Sequence, residues 1–340
     1  MKEKTKQTKY CIFLGVMFLF FTVFTGNLRA SNYVTIATIG TSVPSSLDKT
    51  HGSQKLVDQV IEFWKKELEQ VLPDKPDLIV LTEVCDFPRG LTVEEKNEYF
   101  KVRKNQVQDY FTSEALKNHC YIAFGTLRET GDGSKWNSCI ILNRTGQVAG
   151  IYNKNFPTVG EMEGGIKPGK ETPIIQCDFG RVACAICFDL NFDELRLLYE
   201  KEKPDIILFP SMYHGGLAQS NWAYTCRSFF VGSMGFREIP SEIRNPYGDV
   251  IASTTNYFDF AVARVNLDCQ LVHLDENWGK LRKLKTKYGE AVTISDPGKL
   301  GVILITSEHE NISIDQMIHE FDIEILDDYF NRTREFRKKV

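Results

Sequence analysis

The chain has 340 residues, of which 42% are hydrophobic and 25% charged, a composition typical of a globular protein that buries a full core. This length allows one large domain or two small ones. The formal net charge is −4, and because residues 1–30 carry +4, the rest of the chain carries −8. Such an acidic balance, without a basic stripe interleaved with aromatic residues, argues against a nucleic-acid partner and favours small-molecule chemistry.

The N-terminus has the pattern of a targeting sequence. Lysines at positions 2, 4, 6 and 9 precede an apolar run of 14 residues, from Cys11 to Phe24. This run is shorter than the roughly 20 residues that cross a membrane, and it matches the core of a signal peptide. Cleavage is expected between Ala30 and Ser31. The sequence therefore predicts an exported protein, secreted or periplasmic, without a stable membrane span after cleavage, and the alternative is an uncleaved N-terminal anchor.

Helix and strand patterns alternate along the remainder of the chain. Strands are predicted near 34–39, 78–82, 121–127, 137–143, 147–152, 173–178, 181–186 and 205–211, with further strands up to about 265. Helices are predicted near 56–72, 93–118, 192–202, 217–229 and 276–288. Fully apolar strands that alternate with helices indicate sheets covered by helices on their outer faces, and hairpin signals indicate mixed sheets.

One pattern occurs twice in the chain. Pro76-Asp-Leu-Ile-Val-Leu-Thr-Glu and Pro204-Asp-Ile-Ile-Leu-Phe-Pro-Ser each break a helix and open an apolar strand with a polar residue at its end. This repetition suggests two similar α/β halves that face one another. Because no low-complexity linker is visible, residues 31–290 are predicted to form one catalytic domain. Residues 291–340 are less periodic, and they are predicted to be a C-terminal extension that packs on the domain or on a partner subunit.

Three reactive side chains stand at the ends of predicted elements. Glu83 ends an apolar strand, Lys154 follows a strand, and Cys187 lies where a strand runs into a helix. A thiol needs a base or a cationic neighbour to become nucleophilic at neutral pH. Free backbone N–H groups at a strand-to-helix corner can bind an oxyanion. Taken singly, each residue could equally be structural: a buried cysteine, a solvated carboxylate and a surface lysine.

The ordered set of motifs resembles the nitrilase superfamily, the carbon-nitrogen hydrolases. The resemblance covers residues 34–288 and implies a four-layer αββα sandwich, with two mixed β-sheets covered by helices. It rests on these segments in the order of the family: Leu78-Ile-Val-Leu-Thr-Glu, Asn137-Ser-Cys-Ile-Ile-Leu, Tyr152-Asn-Lys-Asn-Phe-Pro-Thr-Val-Gly-Glu, Cys187-Phe-Asp-Leu-Asn-Phe-Asp-Glu and Asn245-Pro-Tyr-Gly-Asp. Gly146, Phe209-Pro-Ser, Trp222 and Arg227 also fit the family.

The resemblance implies a role for each reacting group. Glu83 is expected to be the base, Lys154 the cation beside the oxyanion, and Cys187 the nucleophile. A second, supporting carboxylate is expected at Glu161, which fits the motif better than its neighbour Glu163.

The implied reaction is the hydrolysis of a non-peptide C–N bond through a thioester, with the Phe188 backbone N–H as a second oxyanion donor. Transfer of the acyl group to an amine instead of water is an alternative that uses the same residues. Members of the family usually self-associate, so a homodimer or a larger homo-oligomer is expected. The six histidines are scattered without metal-ligand spacing, so no metal and no cofactor are predicted.

A thiol redox protein is the other alternative, because Cys184 and Cys187 form a C-x-x-C motif in a chain predicted to be exported. Against this, Cys139, Cys177 and Cys184 all lie in apolar, strand-like runs. Cysteine in such runs acts mostly as a small hydrophobic residue, so these three are expected to be buried and unpaired.

Two departures from the family pattern leave the substrate open. Asn155 follows the lysine where an apolar residue or a histidine is usual, and no proline occurs near position 193. The Cys-Phe-Asp start resembles amidase-type and vanin- or biotinidase-like members. A linear amide or a carbamoyl compound is therefore the expected substrate. Four residues are candidates for lining its pocket: Asp189, Tyr213, His214 and Trp222.

Overall fold

A computed structural model describes residues 31–340, and the predicted signal peptide lies outside them. Over these residues, no helix combines the length and the apolar character that crossing a membrane would need. The strands are β1 (Tyr33–Ile39), β2 (Leu78–Val80), β3 (Tyr121–Glu129), β4 (Lys135–Leu142), β5 (Val148–Asn153), β6 (Ile175–Gln176), β7 (Arg181–Cys184), β8 (Ile206–Ser211), β9 (Phe229–Met234), β10 (Glu242–Arg244), β11 (Val250–Ser253), β12 (Phe260–Asn266), β13 (Cys269–His273), β14 (Val292–Ser295) and β15 (Val302–Ser307). The α-helices are α1 (Gly52–Val71), α2 (Val93–Arg103), α3 (Gln106–Asn118), α4 (Val159–Glu163), α5 (Asp193–Glu202), α6 (Leu217–Cys226), α7 (Trp278–Tyr288), α8 (Ile314–Glu320) and α9 (Leu326–Arg337).

Two six-stranded mixed sheets form the centre of the molecule. Their strand orders are β12-β1-β2-β3-β4-β5 and β11-β10-β9-β8-β7-β6. In the first sheet β2 runs parallel to both of its neighbours, and in the second sheet β8 does the same. All other pairings within the two sheets are antiparallel. This arrangement confirms the predicted fold, two mixed sheets flanked by helices.

Alternation along the central strands explains the layers. Leu78 and Val80 of β2 belong to the core shared with the second sheet, whereas Ile79 and Leu81 belong to the core under α1, α2 and α3. Successive side chains of a strand point to opposite faces, so a strand that is apolar throughout can fill both cores. The continuous apolar runs in the sequence therefore predicted correctly that these strands are covered on both faces.

The repeated Pro-Asp pattern makes the same contacts in both sheets. Asp77 accepts a hydrogen bond from the Thr35 N–H at 2.8 Å and returns one from its own N–H to the Thr35 carbonyl at 2.8 Å. Asp205 exchanges the same two bonds with Arg181, at 2.7 and 2.8 Å. Each aspartate fixes the register of a central parallel strand at its start. The position of the far end of β2, which leads into Glu83, is fixed as a consequence.

The single helix predicted over residues 93–118 is in fact two helices, α2 and α3. Lys104 lies between them with a φ of 43°, outside the helical region. The break falls next to Arg103, whose guanidinium is buried against the Asp86 carboxylate and donates to Thr126 Oγ1 at 2.9 Å. A pattern rich in charged residues gave no sign of this break, because the partners of Arg103 are distant in sequence.

The C-terminal part is more regular than its sequence indicated. Strands β13, β14 and β15 form an antiparallel sheet, and Val272, Leu281 and Ile305 share its core with residues of α8. This unit draws residues from both sides of position 290, so it begins near β13 and not at residue 291. It packs on the rest of the chain, where Asp327 of α9 pairs with Arg227 at 2.9 Å. The apolar segments after residue 290 are short, which is why their periodicity was weak.

Candidate active site

A tight turn after β2 positions Glu83. The turn is held to β3 by backbone hydrogen bonds, from Cys85 N–H to the Gly125 carbonyl at 2.9 Å and from Gly125 N–H to the Thr82 carbonyl at 3.1 Å. Val84 has a φ of 48°, a conformation that costs a β-branched residue free energy and persists only where its surroundings impose it. The Glu83 side chain is buried. The turn therefore presents a carboxylate inside the protein and not to bulk water.

Because Gly125 has no side chain, β3 can approach this turn closely. Gly125→Ala is therefore expected to move Glu83. A Cβ at position 125 would lie 2.6 Å from Glu83 Cα and 2.6 Å from the Thr82 carbonyl oxygen, both backbone atoms. We expect a loss of roughly 1 to 3 kcal/mol of unfolding free energy, as for an overpacked core. Misplacement of a reacting group by about 1 Å costs about 10²-fold in rate, so activity should fall by a similar factor.

Urea unfolding and amide hydrolysis assays test this expectation. Gly131→Ala is the matched control, because a Cβ there meets nothing within 4 Å. Equal activity of the two variants would contradict the role given to the close approach at Gly125.

Lys154 lies at the centre of a buried charge cluster. Its ammonium Nζ is 2.9 Å from Glu83 Oε1 and 2.9 Å from Glu161 Oε2, and the side chain is 1% exposed. Burial acts to lower the pKa of Lys154, but the charge of Glu83 and the other anionic neighbours raise it above its ordinary value. The lysine is therefore a permanent cation, and it is held by two carboxylates that come from different segments of the chain.

Glu161 has a second function in the backbone. At the start of α4 it forms a capping box with Thr158, whose N–H donates to Glu161 Oε2 at 2.7 Å. Burial acts to raise the pKa of Glu161, but hydrogen bonds from Lys154 and Thr158 outweigh burial, and the pKa lies below its ordinary value. The alternative residue, Glu163, is exposed and makes no such contact among the described residues.

Asn137 completes the cluster, although the sequence pattern did not indicate a site residue at this position. Its side-chain amide donates to Glu83 Oε1 at 2.8 Å and to Glu161 Oε1 at 2.8 Å. Asn137 is 1% exposed, so these two hydrogen bonds hold both carboxylates in place inside the protein. The sequence did contain a sign of this role, because the polar residue Asn137 stands at the start of a predicted strand that is mostly apolar. Nothing in the local pattern showed that its two partners would be carboxylates.

Cys187 lies on a backbone corner between β7 and a short 3₁₀ turn, Cys187–Asn191. Its φ is 48°, a left-handed conformation that is uncommon for a residue other than glycine. Burial and then the charge of Glu83 raise the pKa of the Cys187 thiol to about 11, while Lys154 and a backbone hydrogen bond from Met212 oppose this rise. The thiol is therefore neutral at pH 7, and it needs a base at the moment of attack.

This pKa predicts how alkylation of Cys187 depends on pH. The thiolate is the reactive form, so the rate of reaction with iodoacetamide should rise about tenfold per pH unit from pH 7 to 10. Glutathione, an unperturbed thiol, should level off near pH 9 in the same buffers. Peptide mass spectrometry measures the rate at Cys187, and circular dichroism verifies that the protein stays folded. A rate at Cys187 that is already constant above pH 7 would show a preformed thiolate.

Asp189 was predicted to line the substrate pocket, and this prediction is wrong, because the residue is fully buried. Its carboxylate accepts hydrogen bonds from Ile186 N–H at 2.8 Å, Phe156 N–H at 2.7 Å and Tyr152 Oη at 2.7 Å. Burial raises the pKa of Asp189 to about 6 despite these donors. Asp189 thus ties the nucleophile corner to the segment around Lys154 and does not contact a substrate.

The other three pocket candidates have different positions. Trp222 is 2% exposed and packs in the core, so its assignment to the pocket is also wrong. Tyr213 lies near the nucleophile, since burial and then the charge of Cys187 raise the pKa of Tyr213 to about 12. His214 is partly buried, and its Nε2 contacts Glu242 Oε2 at 3.0 Å. The structure therefore brings Tyr213 close to the reactive cluster and leaves His214 engaged elsewhere.

The eight cysteines of the described residues are free thiols. Burial of Cys139, Cys177 and Cys184 is confirmed, and the Cys184 thiol has Cys139 as its hydrogen-bonding neighbour. The geometry thus gives the redox alternative no support. Between residues 31 and 340, no group of three or more histidine, cysteine or acidic side chains is arranged to hold a metal ion.

Comparisons with known proteins identify relatives of this chain. A nitrilase homolog 2 of Dictyostelium discoideum is 23% identical over 192 residues, which are 53% of this chain and 58% of that protein. An omega-amidase of Danio rerio is 21% identical over 213 residues, 56% of this chain and 76% of its own. The chain thus spans less than two thirds of the Dictyostelium protein.

Solved structures show the same fold. The NitFhit protein of Caenorhabditis elegans superposes with a TM-score of 0.60 at 16% identity, covering 86% of this chain and 98% of that one. An amidase from Nesterenkonia sp. AN1 in complex with acrylamide gives 0.56 at 12% identity, covering 69% and 91%. The sequence model described as carbon-nitrogen hydrolase matches residues 35–231. Because this match covers more than half of the chain, the protein belongs to the carbon-nitrogen hydrolase family, the nitrilase superfamily.

Proposed function

We propose that the protein hydrolyses a non-peptide C–N bond, in a linear amide or a carbamoyl compound, through a thioester on Cys187. The observation that carries this proposal is the buried Lys154 ammonium held between Glu83 and Glu161, with its charge acting on the Cys187 thiol. The Danio rerio relative is an omega-amidase and the Nesterenkonia neighbour an amidase, which supports an amide over a nitrile.

The first half of the proposed reaction forms the thioester. Glu83 takes the proton of Cys187 as sulfur attacks the carbonyl carbon. Lys154 and the Phe188 N–H stabilise the oxyanion, and Phe188 is the second residue of a 3₁₀ turn, where an N–H has no intrahelical acceptor. The C–N bond then breaks, and Glu83 gives the proton to the leaving amine.

The second half releases the acid. Glu83 takes a proton from water as the water oxygen attacks the thioester carbonyl, and the same donors stabilise the second oxyanion. When the C–S bond breaks, the proton passes from Glu83 to sulfur, so the free thiol and the Glu83 carboxylate are restored. An amine in place of water would give acyl transfer with the same residues.

Ammonia release from purified protein tests the proposal. The substrates are primary amides, N-carbamoyl amino acids and nitriles, and intact-protein mass spectrometry records the acyl group on Cys187. We expect ammonia from amides or carbamoyl compounds and a mass increase equal to the acyl group. Hydroxylamine added as an acceptor distinguishes transfer from hydrolysis by its hydroxamate product. Absence of both ammonia and acylated protein over the whole panel would overturn the proposal.

We also propose that the protein is exported, with removal of residues 1–30. The support is the charge and hydropathy pattern of that segment. N-terminal sequencing of protein from the extracytoplasmic fraction should begin at Ser31. An intact N-terminus recovered with membranes would favour the anchored alternative.

We propose a homodimer or a larger homo-oligomer. Helices α5 and α6 pack against each other next to the nucleophile corner and leave large apolar side chains in solvent, Leu197, Leu198 and Leu217. Leu217 is 85% exposed, and contact with a second copy of the chain would remove this apolar side chain from water. Light scattering should give at least twice the chain mass, and Leu217→Asp should reduce it. A monomer at micromolar concentration would contradict this proposal.

A further inference from the structure

A buried serine ends the strand next to the nucleophile. Strands β7 and β8 are parallel, and Cys184 of β7 pairs with Leu208 of β8. Cys187 and Ser211 each follow these partners by three residues, so they stand at the same level where the two chains leave the sheet. β8 also packs against the 3₁₀ turn that begins at Cys187. The register of the sheet therefore places a serine hydroxyl beside the nucleophile.

Hydrogen bonds from two other segments fix the backbone of Ser211. Its carbonyl accepts one from Thr82 Oγ1 at 3.1 Å and one from the Gly235 N–H at 2.8 Å. Thr82 immediately precedes Glu83 in the chain and is fully buried, as is Ser211. Thr82 follows a strand of the first sheet and Ser211 ends a strand of the second. This contact therefore joins the segment of the proposed base to the strand beside the nucleophile.

The Ser211 hydroxyl closes a local turn with Tyr213. It donates to the Tyr213 carbonyl at 2.6 Å and accepts from the Tyr213 N–H at 3.0 Å. These two bonds use the proton and one of the two lone pairs of the hydroxyl. The proton can rotate about the Cβ–Oγ bond, so the hydroxyl can exchange the Tyr213 carbonyl for another acceptor. Such an exchange requires no movement of the backbone.

The effect of Ser211 on the thiol has the sign expected of a donor. Burial and then the charge of Glu83 raise the pKa of the Cys187 thiol. A hydrogen bond from the Ser211 side chain acts in the opposite direction and lowers this pKa. A hydrogen bond lowers the pKa of an acid when it stabilises the charged form. The hydroxyl is therefore placed to donate to sulfur when sulfur carries charge.

We propose that Ser211 is a further catalytic residue, whose hydroxyl donates a hydrogen bond to the Cys187 sulfur while that sulfur is negatively charged. This inference rests on the proposed function, in which sulfur carries charge when Glu83 takes its proton and again when the C–S bond breaks. Ser211 keeps its own proton in both steps, and no covalent bond to it forms or breaks. A hydrogen bond to the charged sulfur is roughly twice as strong as the neutral bond to the Tyr213 carbonyl that it replaces.

Ser211→Ala removes the hydroxyl and tests its role in turnover. Loss of a hydrogen bond to a charged group should lower kcat by about 10- to 100-fold. kcat/KM should fall by the same factor and KM should stay nearly constant, because the bond exists only in the charged states and the buried residue does not contact substrate. The measurement is ammonia release from the amide or carbamoyl compound that the unmodified protein hydrolyses fastest.

Alkylation of Cys187 by iodoacetamide tests the contact without requiring turnover. Ser211→Ala should have a smaller fraction of thiolate at pH 8. A fraction that is about tenfold smaller should lower the rate by about threefold, because a more basic thiolate is also a stronger nucleophile. Peptide mass spectrometry measures the rate at Cys187. A residue that only closed the turn to Tyr213 would leave this rate unchanged.

Ser233→Ala is the matched control. Ser233 lies in β9 and is fully buried, and its Oγ donates to the Ile39 carbonyl of the other sheet at 2.8 Å. This variant loses the same hydroxyl from the same core, but away from sulfur. Its kcat and its alkylation rate should therefore remain close to those of the unmodified protein. Urea unfolding of both alanine variants verifies that they are folded.

Ser211→Thr keeps a hydroxyl at this position, so it should recover most of the kcat and of the alkylation rate that Ser211→Ala loses. A folded Ser211→Ala protein that matches Ser233→Ala in both measurements overturns the inference. Equal losses in folded Ser211→Ala and Ser211→Thr proteins would mean that packing, and not the hydroxyl, is responsible, and they overturn it as well.

The two proposals can fail separately. Slower alkylation of Cys187 in Ser211→Ala, without hydrolysis of any tested compound by the unmodified protein, would overturn the proposed function and leave the contact between Ser211 and sulfur standing. Hydrolysis by the unmodified protein, with kcat and the alkylation rate unchanged in Ser211→Ala, would overturn the role of Ser211 and leave the proposed function standing.

Discussion

Cys187→Ala is expected to abolish amide hydrolysis, with a loss of at least about 10⁴-fold in kcat. The variant removes the sulfur that forms the thioester, and no other cysteine of the described chain has a carboxylate and an ammonium as neighbours in one cluster. Unfolding free energy should change by only about 1 kcal/mol, because Cys187 is partly exposed and its replacement leaves little empty space. The measurement is ammonia release, together with urea unfolding to show that the fold is intact.

Cys269→Ala is the matched control for this loss. Cys269 is also partly exposed, but it lies in β13, in the sheet away from the reactive cluster. It should retain full activity and remain acylated by substrate at Cys187. Residual hydrolysis by Cys187→Ala within tenfold of the unmodified protein would mean that sulfur is not the nucleophile.

Lys154→Met is expected to impair both activity and stability. The methionine fills the space of the lysine stem but leaves the Glu83 and Glu161 carboxylates without their shared cation. Removing one partner of a buried ion pair costs about 3 to 5 kcal/mol. Activity should fall at least about 10²-fold, since an oxyanion donor is lost.

The stability deficit of Lys154→Met should depend on pH. In the unmodified protein the pKa of Glu161 is lowered, so this group contributes stability at neutral pH that is lost as the pH falls through its folded value. Without the lysine, the effect of burial dominates and protonation of Glu161 is favoured instead. The difference in unfolding free energy between the two proteins should therefore be larger at pH 8 than at pH 5.

Urea unfolding at both pH values measures this difference. Lys283→Met, at an exposed position of α7, is the control for loss of one positive charge, and it should change stability by less than about 0.5 kcal/mol at either pH. A deficit of Lys154→Met that does not change between pH 8 and pH 5 would contradict the electrostatic explanation.

The sequence predicted the structure best where a reactive side chain stands at the end of a clearly patterned strand. The apolar run before Glu83 predicted a strand covered on both faces, and the structure places that strand in the centre of a sheet. The ordered motifs predicted that Glu83, Lys154 and Cys187 would converge. Lys154 lies 2.9 Å from Glu83, and the charges of both residues act on the Cys187 thiol. In each case the information is local: a strand pattern and the residue at its end.

The sequence was least informative about burial of polar groups. Asp189 follows the nucleophile by two residues, and from sequence it is as plausible a substrate ligand as Tyr213. Only the packing shows that two donors from a distant segment, Tyr152 Oη and Phe156 N–H, join the neighbouring Ile186 N–H at the Asp189 carboxylate. The same applies to Asn137 and to Arg103, whose partners lie far along the chain. These contacts depend on how elements meet in space, which a single sequence does not encode at any one position.

The Asp189 carboxylate accepts hydrogen bonds from both the nucleophile corner and the segment beside Lys154. Its hydrogen bonds join the Ile186 N–H, beside the nucleophile, to the Phe156 N–H, beside Lys154. By contrast, a cavity of about 460 Å³ next to Val84 is lined by other segments, among them the turn after Glu83, the start of α2 and the residues near Ile166. The residues that hold the reacting groups in place are therefore different from those that line the neighbouring cavity. We therefore expect substitutions in the wall of that cavity to change which acyl chain the proposed reaction accepts, with the backbone segments around Lys154 and Cys187 left in place. An engineer who wished to change specificity would begin there.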